Sequence, residues 1–363
     1  MGRSRHEQNR QDPLTSAETP HETLTPPRVR DDAVRLTVPD PEHALAEVVL
    51  GQEVVRPRPG PAFEWDDGAW RLEFPRPDVD RLEYLLGIDG SFVPDPSNPL
   101  RAPGPFGDKS VIEWPEYEPP AWLDSIADAG PVERFEIRCR RLVARVQVLL
   151  YATPDPPGER APLLVAHDGP EYAEYAGLTR FLDVMSWEEQ IPPLRAALIQ
   201  PVDRNETYSA SALYAAALAR ELLPAIAKRA PHGRRVGLGA SLGALALLHA
   251  WSRHPRLFDG LLLQSGSFFR QRSDKYESGF PHYRRITRFV GTALRGLEVE
   301  RRIPIALTCG TGEENRANNE ALAEALVAQG YPAWLAYVRD GHTWTCWRDS
   351  FHPHLPAVLE AVS

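Results

Sequence analysis

A short segment past the middle of the chain constrains the fold most strongly. Residues 235–249, RVGLGASLGALALLH, read as a buried strand, a tight turn and an apolar helix. Gly239, Ser241 and Gly243 fit the G-x-S-x-G pattern of a nucleophile elbow, in which a strained turn exposes the serine hydroxyl. The backbone N–H of Leu242, at the helix N-terminus, can then stabilise an oxyanion. The segment predicts a serine nucleophile, and a simple tight turn is the alternative interpretation.

Composition limits the classes of protein that this chain can represent. With 363 residues, 42% of them hydrophobic, it can bury a large core and form two domains. A formal charge of -9 at pH 7 argues against nucleic acid or an anionic membrane surface as a partner. No apolar run approaches the roughly 20 residues that span a bilayer, and the charged N-terminus does not read as a secretory signal. Cys139, Cys309 and Cys346 are too few and too scattered for a disulfide framework or a cysteine metal site, so a reducing cytoplasm is expected.

The N-terminal third divides into a tail and a β-rich part. Residues 1–30 are polar and lack periodicity, which predicts a disordered tail. Residues 31–125 contain short alternating runs between turn dipeptides such as Asp67-Gly68 and Asp89-Gly90, which predicts a small antiparallel β-sandwich followed by a proline-rich, extended connector. Within it, residues 84–98 resemble the immunoglobulin-like modules that precede catalytic domains in several ester- and glycan-processing enzymes. A turn-rich scaffold that only packs on the neighbouring domain is a plainer interpretation than a separate ligand site.

Residues 126–363 alternate predicted strands with predicted helices. This alternation predicts an α/β domain with a mostly parallel central sheet and helices on both faces, in which reactive groups lie beyond the C-terminal ends of the strands. The expected strands are 135–141 and 145–151 as a hairpin, then 161–166, 196–200, 235–238, 260–264, 303–309 and 333–338. Besides the elbow helix, the expected helices are 179–187, 208–229, 315–329 and 352–362.

A serine nucleophile needs a base and an acid, and in an α/β-hydrolase these follow it in the order Asp or Glu, then His. His342 lies just after the last predicted strand and is the expected general base. Glu313 follows the strand 303–309 and is the expected acid, with Glu314 as the alternative and Asp340 as a further candidate. Both glutamates would also be favoured at the positive end of the next helix, so a purely structural role is the alternative interpretation. The other histidines considered are His249 and His254, expected to face solvent or the core, and His282, His352 and His354, which the residues alone do not exclude.

Five segments together carry a family resemblance. They are GASLG at 239–243, CGTGEEN at 309–315, DGHTWTCWR at 340–348, VAHDGPEY at 165–172 and PVDRNETY at 201–208. In combination they resemble the enterochelin (enterobactin) esterases and related esterase-D-type α/β-hydrolases over most of residues 130–363. That family hydrolyses ester bonds of catecholate siderophores in the cytoplasm and so releases iron. The resemblance implies the α/β-hydrolase fold and a small-molecule ester substrate, a ferric siderophore included.

The resemblance also implies a second oxyanion donor in the loop 167–172. Pro170 has no N–H, so Gly169 or Glu171 would supply it. Other residues near predicted strand ends are candidates for the pocket wall. A turn-forming Asp-Gly is the plainer interpretation of Asp168, and a structural ion pair is the alternative for Arg204 and Glu206. These candidates are Asp168 and Tyr172 in this loop, and Arg204 and Glu206 after the strand 196–200.

Residues 268–288 stand out because arginines and aromatic residues are concentrated there in an acidic chain. Arginine pairs with anions and aromatic rings stack on planar groups, so this segment can receive a planar, anionic ligand such as a ferric catecholate. A solvated helix face is the alternative interpretation. The residues concerned are Arg270, Arg272 and Arg284 for charge pairing, and Phe268 or Tyr283 for stacking.

The chemistry predicted from these residues is ester hydrolysis. Ser241 attacks the carbonyl carbon, His342 takes and returns the proton, and Glu313 orients His342. No metal or organic cofactor is required. The alternatives are an esterase or acyltransferase that acts on another acyl ester, and a binding protein that keeps the fold without turnover. The oligomeric state is not predicted.

Overall fold

The structure, a computed structural model, describes residues 26–54, 61–155 and 157–362. Residues 1–25, most of the predicted tail, lie outside this part of the chain. The tail was expected to extend to residue 30, but Arg28–Val29 already pair with a following strand through backbone hydrogen bonds. That pairing supplies the backbone partners that a tail would lack.

Within these ranges, the N-terminal part forms two antiparallel sheets. The first has the order β1-β2-β5-β4; in the second β3, β6, β9 and β8 follow one another and β7 also pairs with β6. Buried apolar side chains from both sheets, among them Leu36, Trp70, Tyr84 and Ile112, form a single core. The strands are β1 (Arg28–Val29), β2 (Ala33–Pro39), β3 (Val48–Gly51), β4 (Glu64–Asp66), β5 (Ala69–Pro75), β6 (Arg81–Ile88), β7 (Ser91–Val93), β8 (Arg101–Ala102) and β9 (Lys109–Glu113).

The turn dipeptides act as the sequence predicts. Asp67-Gly68 and Asp89-Gly90 connect β4 to β5 and β6 to β7, and all four residues have positive φ. Two consecutive residues with positive φ are what a tight hairpin turn requires. After β9 the connector forms a short 3-10 turn, Ala121–Leu123, whose Trp122 is buried edge-on against Phe181.

The C-terminal part contains a mixed, eight-stranded sheet in the order β10-β11-β13-β12-β14-β15-β16-β17. The pairs β10/β11 and β11/β13 are antiparallel, and the other neighbours are parallel. The predicted hairpin and the mostly parallel sheet are confirmed. The strands are β10 (Val132–Cys139), β11 (Ala144–Ala152), β12 (Leu163–His167), β13 (Arg195–Ile199), β14 (Arg235–Ala240), β15 (Gly260–Gln264), β16 (Ile305–Gly310) and β17 (Ala333–Val338).

Helices cover both faces of this sheet. Alternate residues of β12 enter opposite cores: Leu163 and Val165 pack with one set of helices, and Leu164 and Ala166 with the other. The first core takes side chains from α4 to α8, and the second takes side chains from α1, α2, α9 and α10. The helices are α1 (Gly169–Tyr175), α2 (Leu178–Trp187), α3 (Arg204–Tyr208), α4 (Ala212–Ala217), α5 (Leu223–Arg229), α6 (Leu242–Arg253), α7 (Tyr283–Arg295), α8 (Arg316–Ala328), α9 (Trp344–Asp349) and α10 (His354–Ala361).

The predicted helix 208–229 is wrong as a single element. Tyr208 ends α3, Ala210 has a positive φ, and Ser211 caps the start of α4 by accepting a hydrogen bond from the Tyr214 N–H. A π-helical stretch, Leu218–Leu222, then separates α4 from α5. It lies just before Pro224, which cannot donate the regular helical hydrogen bond. In the part of the chain that the structure describes, no helix has the length and apolar character needed to cross a membrane.

Candidate active site

Ser241 occupies a strained turn between β14 and α6. Its φ of 56° and ψ of −122° are unusual for a residue with a side chain. The turn is tight because Gly239 allows the strand to approach the helix: a Cβ atom there would lie 2.8 Å from the carbonyl carbon of Gly243. The serine therefore projects from the C-terminal edge of the sheet, and Leu242 begins α6 directly after it.

The elbow is held by neighbouring strands. The Ser241 N–H donates to the Gln264 carbonyl at 2.9 Å, and the Ser267 N–H donates to the Ser241 carbonyl at 3.1 Å. The hydroxyl groups of Ser241 and Ser267 are 3.0 Å apart and share a hydrogen bond. From β12, the buried His167 ring lies 3.1 Å from the Gly243 carbonyl through Nδ1 and 2.9 Å from the Tyr214 hydroxyl through Nε2. Burial lowers the pKa of His167 to about 3, so this ring is a neutral support for the elbow.

Glu313 and His342 form a hydrogen-bonded pair. His342 Nδ1 lies 2.8 Å from Glu313 Oε2, and the Glu313 side chain is 1% exposed. Its other oxygen, Oε1, accepts from the Ser265 hydroxyl at 2.5 Å and from the Gly310 N–H at 2.8 Å. Because a carboxylate only accepts, Nδ1 of His342 carries the proton and Nε2 remains free to act as a base.

The electrostatics of His342 favour its protonated form. Burial by itself lowers the pKa of the imidazole, but the charge and hydrogen bond of Glu313 outweigh burial. The pKa is therefore raised above its ordinary value of 6.5. A base arranged in this way can take a proton during a reaction and hold it as an imidazolium next to a fixed carboxylate.

The two alternative carboxylates have other positions. Glu314 is exposed on the wall of the cavity described next, and the hydrogen bond to His342 goes to Glu313. Asp340 is buried and faces Arg81 of β6, with 3.5 Å between Oδ2 and Nη1. Burial raises the pKa of Asp340 to about 7, although Arg81 acts in the opposite direction. Of the three carboxylates, the geometry favours Glu313 as the partner of His342.

A cavity of about 270 Å³ brings these residues together. Ser241, Leu242, Glu313 and His342 all line it. The sequence interpretation missed several of the other residues that line this cavity. Among them, Ser267 lies two residues past a turn, and the aromatic residues come from the segment that was noted only for its arginines and for other rings. These residues are Glu53, Asn205, Ser267, Phe269, Tyr276, Glu277, Phe280, Asn315 and Asn318.

The loop after β12 differs from expectation at two positions. Tyr172 was expected to line the pocket but is fully buried, because its ring packs on Trp344 and its hydroxyl donates to Gln264 Oε1 at 2.6 Å. Asp168 is also buried and uses both carboxylate oxygens to hold Arg204 at 2.9 Å. Asp168 therefore positions a guanidinium at the cavity wall, while Arg204, 39% exposed, is the residue that can contact a ligand.

The remaining residues of this region have structural contacts. Gly169 starts α1, and a Cβ atom there would lie 2.3 Å from the Cα of Leu198, so only glycine fits against β13. Arg204 and Glu206 do not pair with each other. Glu206 instead binds Arg285 and His282, each at 2.9 Å, on the outside of α3.

The predicted arginines lie in a separate cavity. Arg270, Arg272 and Arg284 line a basin of about 840 Å³ with Arg288 and Arg295 of α7, and Ser241 is not part of its wall. Among the described residues, no carboxylate is within ion-pair distance of the Arg272, Arg284, Arg288 or Arg295 side chains. Arg270 connects the two cavities, because its Nε donates to Asn318 Oδ1 at 2.8 Å.

The aromatic residues proposed for stacking are not available to a ligand. Phe268 is fully buried, and Tyr283 is largely buried and stacks on Phe269. Phe269 and Phe280 form the aromatic part of the wall near Ser241 instead. The expectation of ligand stacking on Phe268 or Tyr283 is therefore wrong, since the chain turns those rings into the core.

The other histidines lie away from the Ser241 cavity. His249 is buried against Phe289, and burial lowers its pKa to about 4. His282 pairs with Glu206, and His354 accepts from Trp334 Nε1 at 3.3 Å. His254 is the C-terminal cap of α6, and His352 lines a different cavity together with Tyr117. Over the described ranges, no group of three or more His, Cys, Asp or Glu residues is arranged to hold a metal ion.

A mixed α/β sheet, a serine at a strained strand–helix turn and a histidine bound to a buried carboxylate are together typical of hydrolases of the α/β class. A family model described as "Putative esterase" matches residues 140–358. This chain belongs to that esterase family, a family of carboxylic-ester hydrolases.

The chain is also similar in sequence to curated relatives and in fold to solved structures. The iron(III) enterobactin esterase of Escherichia coli O6:H1 (strain CFT073) is 29% identical over 293 residues, which cover 76% of this chain and 70% of the relative. An enterobactin esterase structure from Shigella flexneri, determined in the presence of enterobactin, has a TM-score of 0.72 at 21% identity and covers 92% of this chain and 95% of its own. The ferric enterobactin esterase from Salmonella typhimurium also gives a TM-score of 0.72, at 20% identity, and covers 90% of this chain and 93% of its own. The structural likeness extends over both the N-terminal sheets and the mixed sheet.

Proposed function

We propose that this protein is a serine esterase that hydrolyses the ester bonds of a catecholate-type siderophore and so releases its iron. The observation that carries the chemistry is the 2.8 Å contact between His342 and Glu313 in the wall of the cavity that contains Ser241. The substrate class is supported by the similarity to iron(III) enterobactin esterases.

The reaction has two halves in this proposal. The Ser241 oxygen attacks the ester carbonyl while Nε2 of His342 takes its proton, and the imidazolium is stabilised by Glu313. His342 returns that proton to the leaving alcohol as the ester bond breaks. Water then attacks the acyl-enzyme by the same route, giving its proton to His342, which passes it to Ser241 as the acid is released.

The oxyanion of each tetrahedral intermediate needs donors that are already in place. Leu242 supplies one, because its N–H is the first of α6 and the residue lines the cavity beside Ser241. We assign the second to Gly169, with Glu171 as the alternative. Gly169 is supported by its place at the start of α1, just beyond β12, the strand that neighbours β14.

Three arginines are proposed to bind the anionic part of the substrate. Arg204 is held at the cavity wall by Asp168, which leaves its exposed edge towards the ligand. Arg270 and Arg272 line the adjoining basin, whose positive charge suits deprotonated catechols that extend beyond the cavity near Ser241.

The chain organisation is also part of the proposal. Residues 31–125 form an immunoglobulin-like sandwich with its connector, and residues 126–363 form the catalytic α/β-hydrolase domain. Two antiparallel sheets around one core support the first assignment. A cytoplasmic location is supported by the three buried cysteines, all of them free thiols. The charge of -9 supports a small-molecule partner rather than nucleic acid or an anionic membrane.

The test is hydrolysis of ferric and iron-free catecholate trilactones, followed by chromatography of the products. We expect the wild type to cleave them and both Ser241→Ala and His342→Ala to lose several orders of magnitude in kcat. His254→Ala, at the distant end of α6, is the matched control and keeps its activity.

Other outcomes would contradict parts of the proposal. If the wild type cleaves p-nitrophenyl butyrate but no catecholate, the substrate assignment fails. Transfer of the acyl group to an added alcohol in preference to water would indicate an acyltransferase. If neither ester is cleaved and Ser241→Ala still binds the ferric complex, the protein is a non-catalytic binding member of the fold.

A further inference from the structure

The N-terminal sheets touch the two loops that carry Glu313 and His342. The Asp80 N–H donates to the Arg339 carbonyl at 2.7 Å, three residues before His342. The Thr311 hydroxyl donates to the Asp78 carbonyl at 2.6 Å, two residues before Glu313. Backbone groups on the segment before β6 therefore hold both loops directly.

Apolar contacts lie beside these hydrogen bonds. A Cβ atom on Gly312 would lie 2.8 Å from a methyl of Val54 and 2.9 Å from a methyl of Val79. A Cβ atom on Gly341 would lie 2.9 Å from a methyl of Val54. The residues next to Glu313 and His342 are thus pressed against the N-terminal part, with no room for a side chain between them.

A buried ion pair forms the centre of this contact. Arg81, at the start of β6, is 4% exposed and places Nη1 at 2.8 Å from Glu83 Oε1 and 3.5 Å from Asp340 Oδ2. Asp340 is 2% exposed. Buried charges need a partner, and removing one member of such a pair leaves the other uncompensated.

Asp340 ties the two loops together. Its Oδ1 accepts from the Gly341 N–H at 2.6 Å, and its Oδ2 accepts from the Thr343 hydroxyl at 3.2 Å. Its carbonyl accepts from the Gly312 N–H at 3.1 Å. The residues on both sides of His342 and the residue before Glu313 are therefore all bound to one aspartate.

We propose that Arg81 is a positioning residue for catalysis, which holds Asp340 and through it fixes His342 and Glu313 relative to Ser241. The N-terminal sandwich is then part of the catalytic apparatus. The inference rests on the proposed role of His342 as the base. Its physical basis is that a displacement of about 1 Å in a reacting group can cost roughly 100-fold in rate.

The first test compares Arg81→Gln with Arg81→Lys. Hydrolysis of p-nitrophenyl butyrate is measured well below the unfolding temperature of each variant, so that folded enzyme is compared. We expect Arg81→Gln to lower kcat by roughly 10- to 100-fold with little change in KM, because the substrate is bound by other residues. Arg81→Lys keeps a positive charge and restores part of kcat. Labelling of Ser241 by a fluorophosphonate probe slows in parallel.

A second variant and a control separate positioning from stability. Above pH 7, where Asp340 is ionised, Asp340→Asn keeps the shape of the side chain but loses its charge, and we expect the same loss of kcat. We expect the double variant Arg81→Gln/Asp340→Asn to lose no more kcat than the more impaired of the two single variants, since the two residues act as one unit. Tyr117→Phe removes a hydroxyl that donates to Asp349 at 3.0 Å and accepts from Arg348 at 2.7 Å, elsewhere on the same contact. It lowers the unfolding temperature but leaves kcat within about twofold.

Two results would decide against parts of this scheme, and a further pair of variants covers a failure to fold. If Arg81→Gln and Asp340→Asn only lower the unfolding temperature, as Tyr117→Phe does, the pair is structural and the inference is overturned. If Arg81→Gln does not fold, Asp340→Asn and Arg81→Lys decide in its place. If Ser241→Ala or His342→Ala retains wild-type turnover, the proposed function itself fails. The Arg81 variants cannot give that result, so the two failures are distinguishable.

Discussion

The Ser241 elbow and the loops of Glu313 and His342 reach the same cavity by different means. The elbow is made by β14 and α6, which follow each other in the chain, and by glycines that let them pack closely. The two loops depend on contacts with distant parts of the chain, such as the Thr311–Asp78 hydrogen bond across 233 residues. Local sequence thus sets the nucleophile, whereas tertiary contacts set the acid and the base.

The largest expected effect tests which carboxylate serves the base. Glu313→Gln removes the negative charge next to His342 Nδ1, so we expect kcat to fall by roughly 10³- to 10⁴-fold, as for other triad acids. Glu314→Gln, the neighbouring residue, should change kcat by less than about threefold. Steady-state kinetics on p-nitrophenyl butyrate checks both, and a larger loss in Glu314→Gln would reverse the assignment.

The pH dependence sharpens the same comparison. His342 must be neutral to accept a proton, so kcat/KM rises with pH through its pKa, which lies above 6.5. Glu313→Gln removes the main cause of the raised pKa and leaves burial, so the midpoint moves to lower pH. Glu53→Gln should move it in the same direction by less, because Glu53 contributes a weaker charge effect.

The linked effect on stability has a defined sign. Since the folded state favours protonated His342, its contribution to the free energy of unfolding is complete below pH 6.5 and is lost as pH rises through the folded pKa. Thermal unfolding of wild type and His342→Gln across this range measures the difference. A contribution that grows with rising pH would contradict the raised pKa.

A smaller effect tests the elbow through its backbone. Gly239→Ala places a methyl 2.8 Å from the backbone of Gly243, so we expect a loss of about 1–3 kcal/mol in the free energy of unfolding. Gly291→Ala, inside α7, meets only the flexible end of Arg295 at 3.3 Å and should gain about 0.5–1 kcal/mol. Urea denaturation of both variants gives the comparison, and equal values would show that the elbow is not tightly packed.

The smallest effect concerns Ser267. Ser267→Ala removes the 3.0 Å hydrogen bond to the Ser241 hydroxyl, worth about 0.5–1.5 kcal/mol, and frees that hydroxyl to turn towards His342. We expect kcat/KM to change by less than about tenfold, measured with the same ester. A loss as large as that of Glu313→Gln would place Ser267 among the groups essential to the reaction.

Sequence patterns were reliable for elements whose period is regular. The buried strands β12, β15 and β16 were predicted because their apolar runs are continuous, and the elbow because its pattern is local. The helix 208–229 was mispredicted because its residues are apolar on a helical period. The break before Ser211 nonetheless separates α3 from α4, and a π-helical stretch, Leu218–Leu222, interrupts the regular helix that follows.

Side-chain direction was less predictable than position. Tyr172 lies in the expected loop but faces the core, because the first turn of α1 directs it at Gln264. Arg284 lies in the expected segment but lines a neighbouring cavity, because α7 packs its apolar face inward and presents Arg284 outward. Arg272, which precedes α7 in the chain, lines the same cavity. A shift of one residue along a helix decides whether a side chain faces the core or the surface, and sequence alone does not set that position.

By itself, the sequence determined the α/β architecture, the strained turn at Ser241 and the strand ends after which Glu313 and His342 lie. These follow from hydrophobic period and glycine placement, which act over a few residues. Only the tertiary structure decided that Glu313 rather than Glu314 meets His342, that Asp168 holds Arg204, and that Arg81 reaches Asp340. Such contacts depend on how sheets and loops far apart in the chain pack, and packing is a property of the whole core.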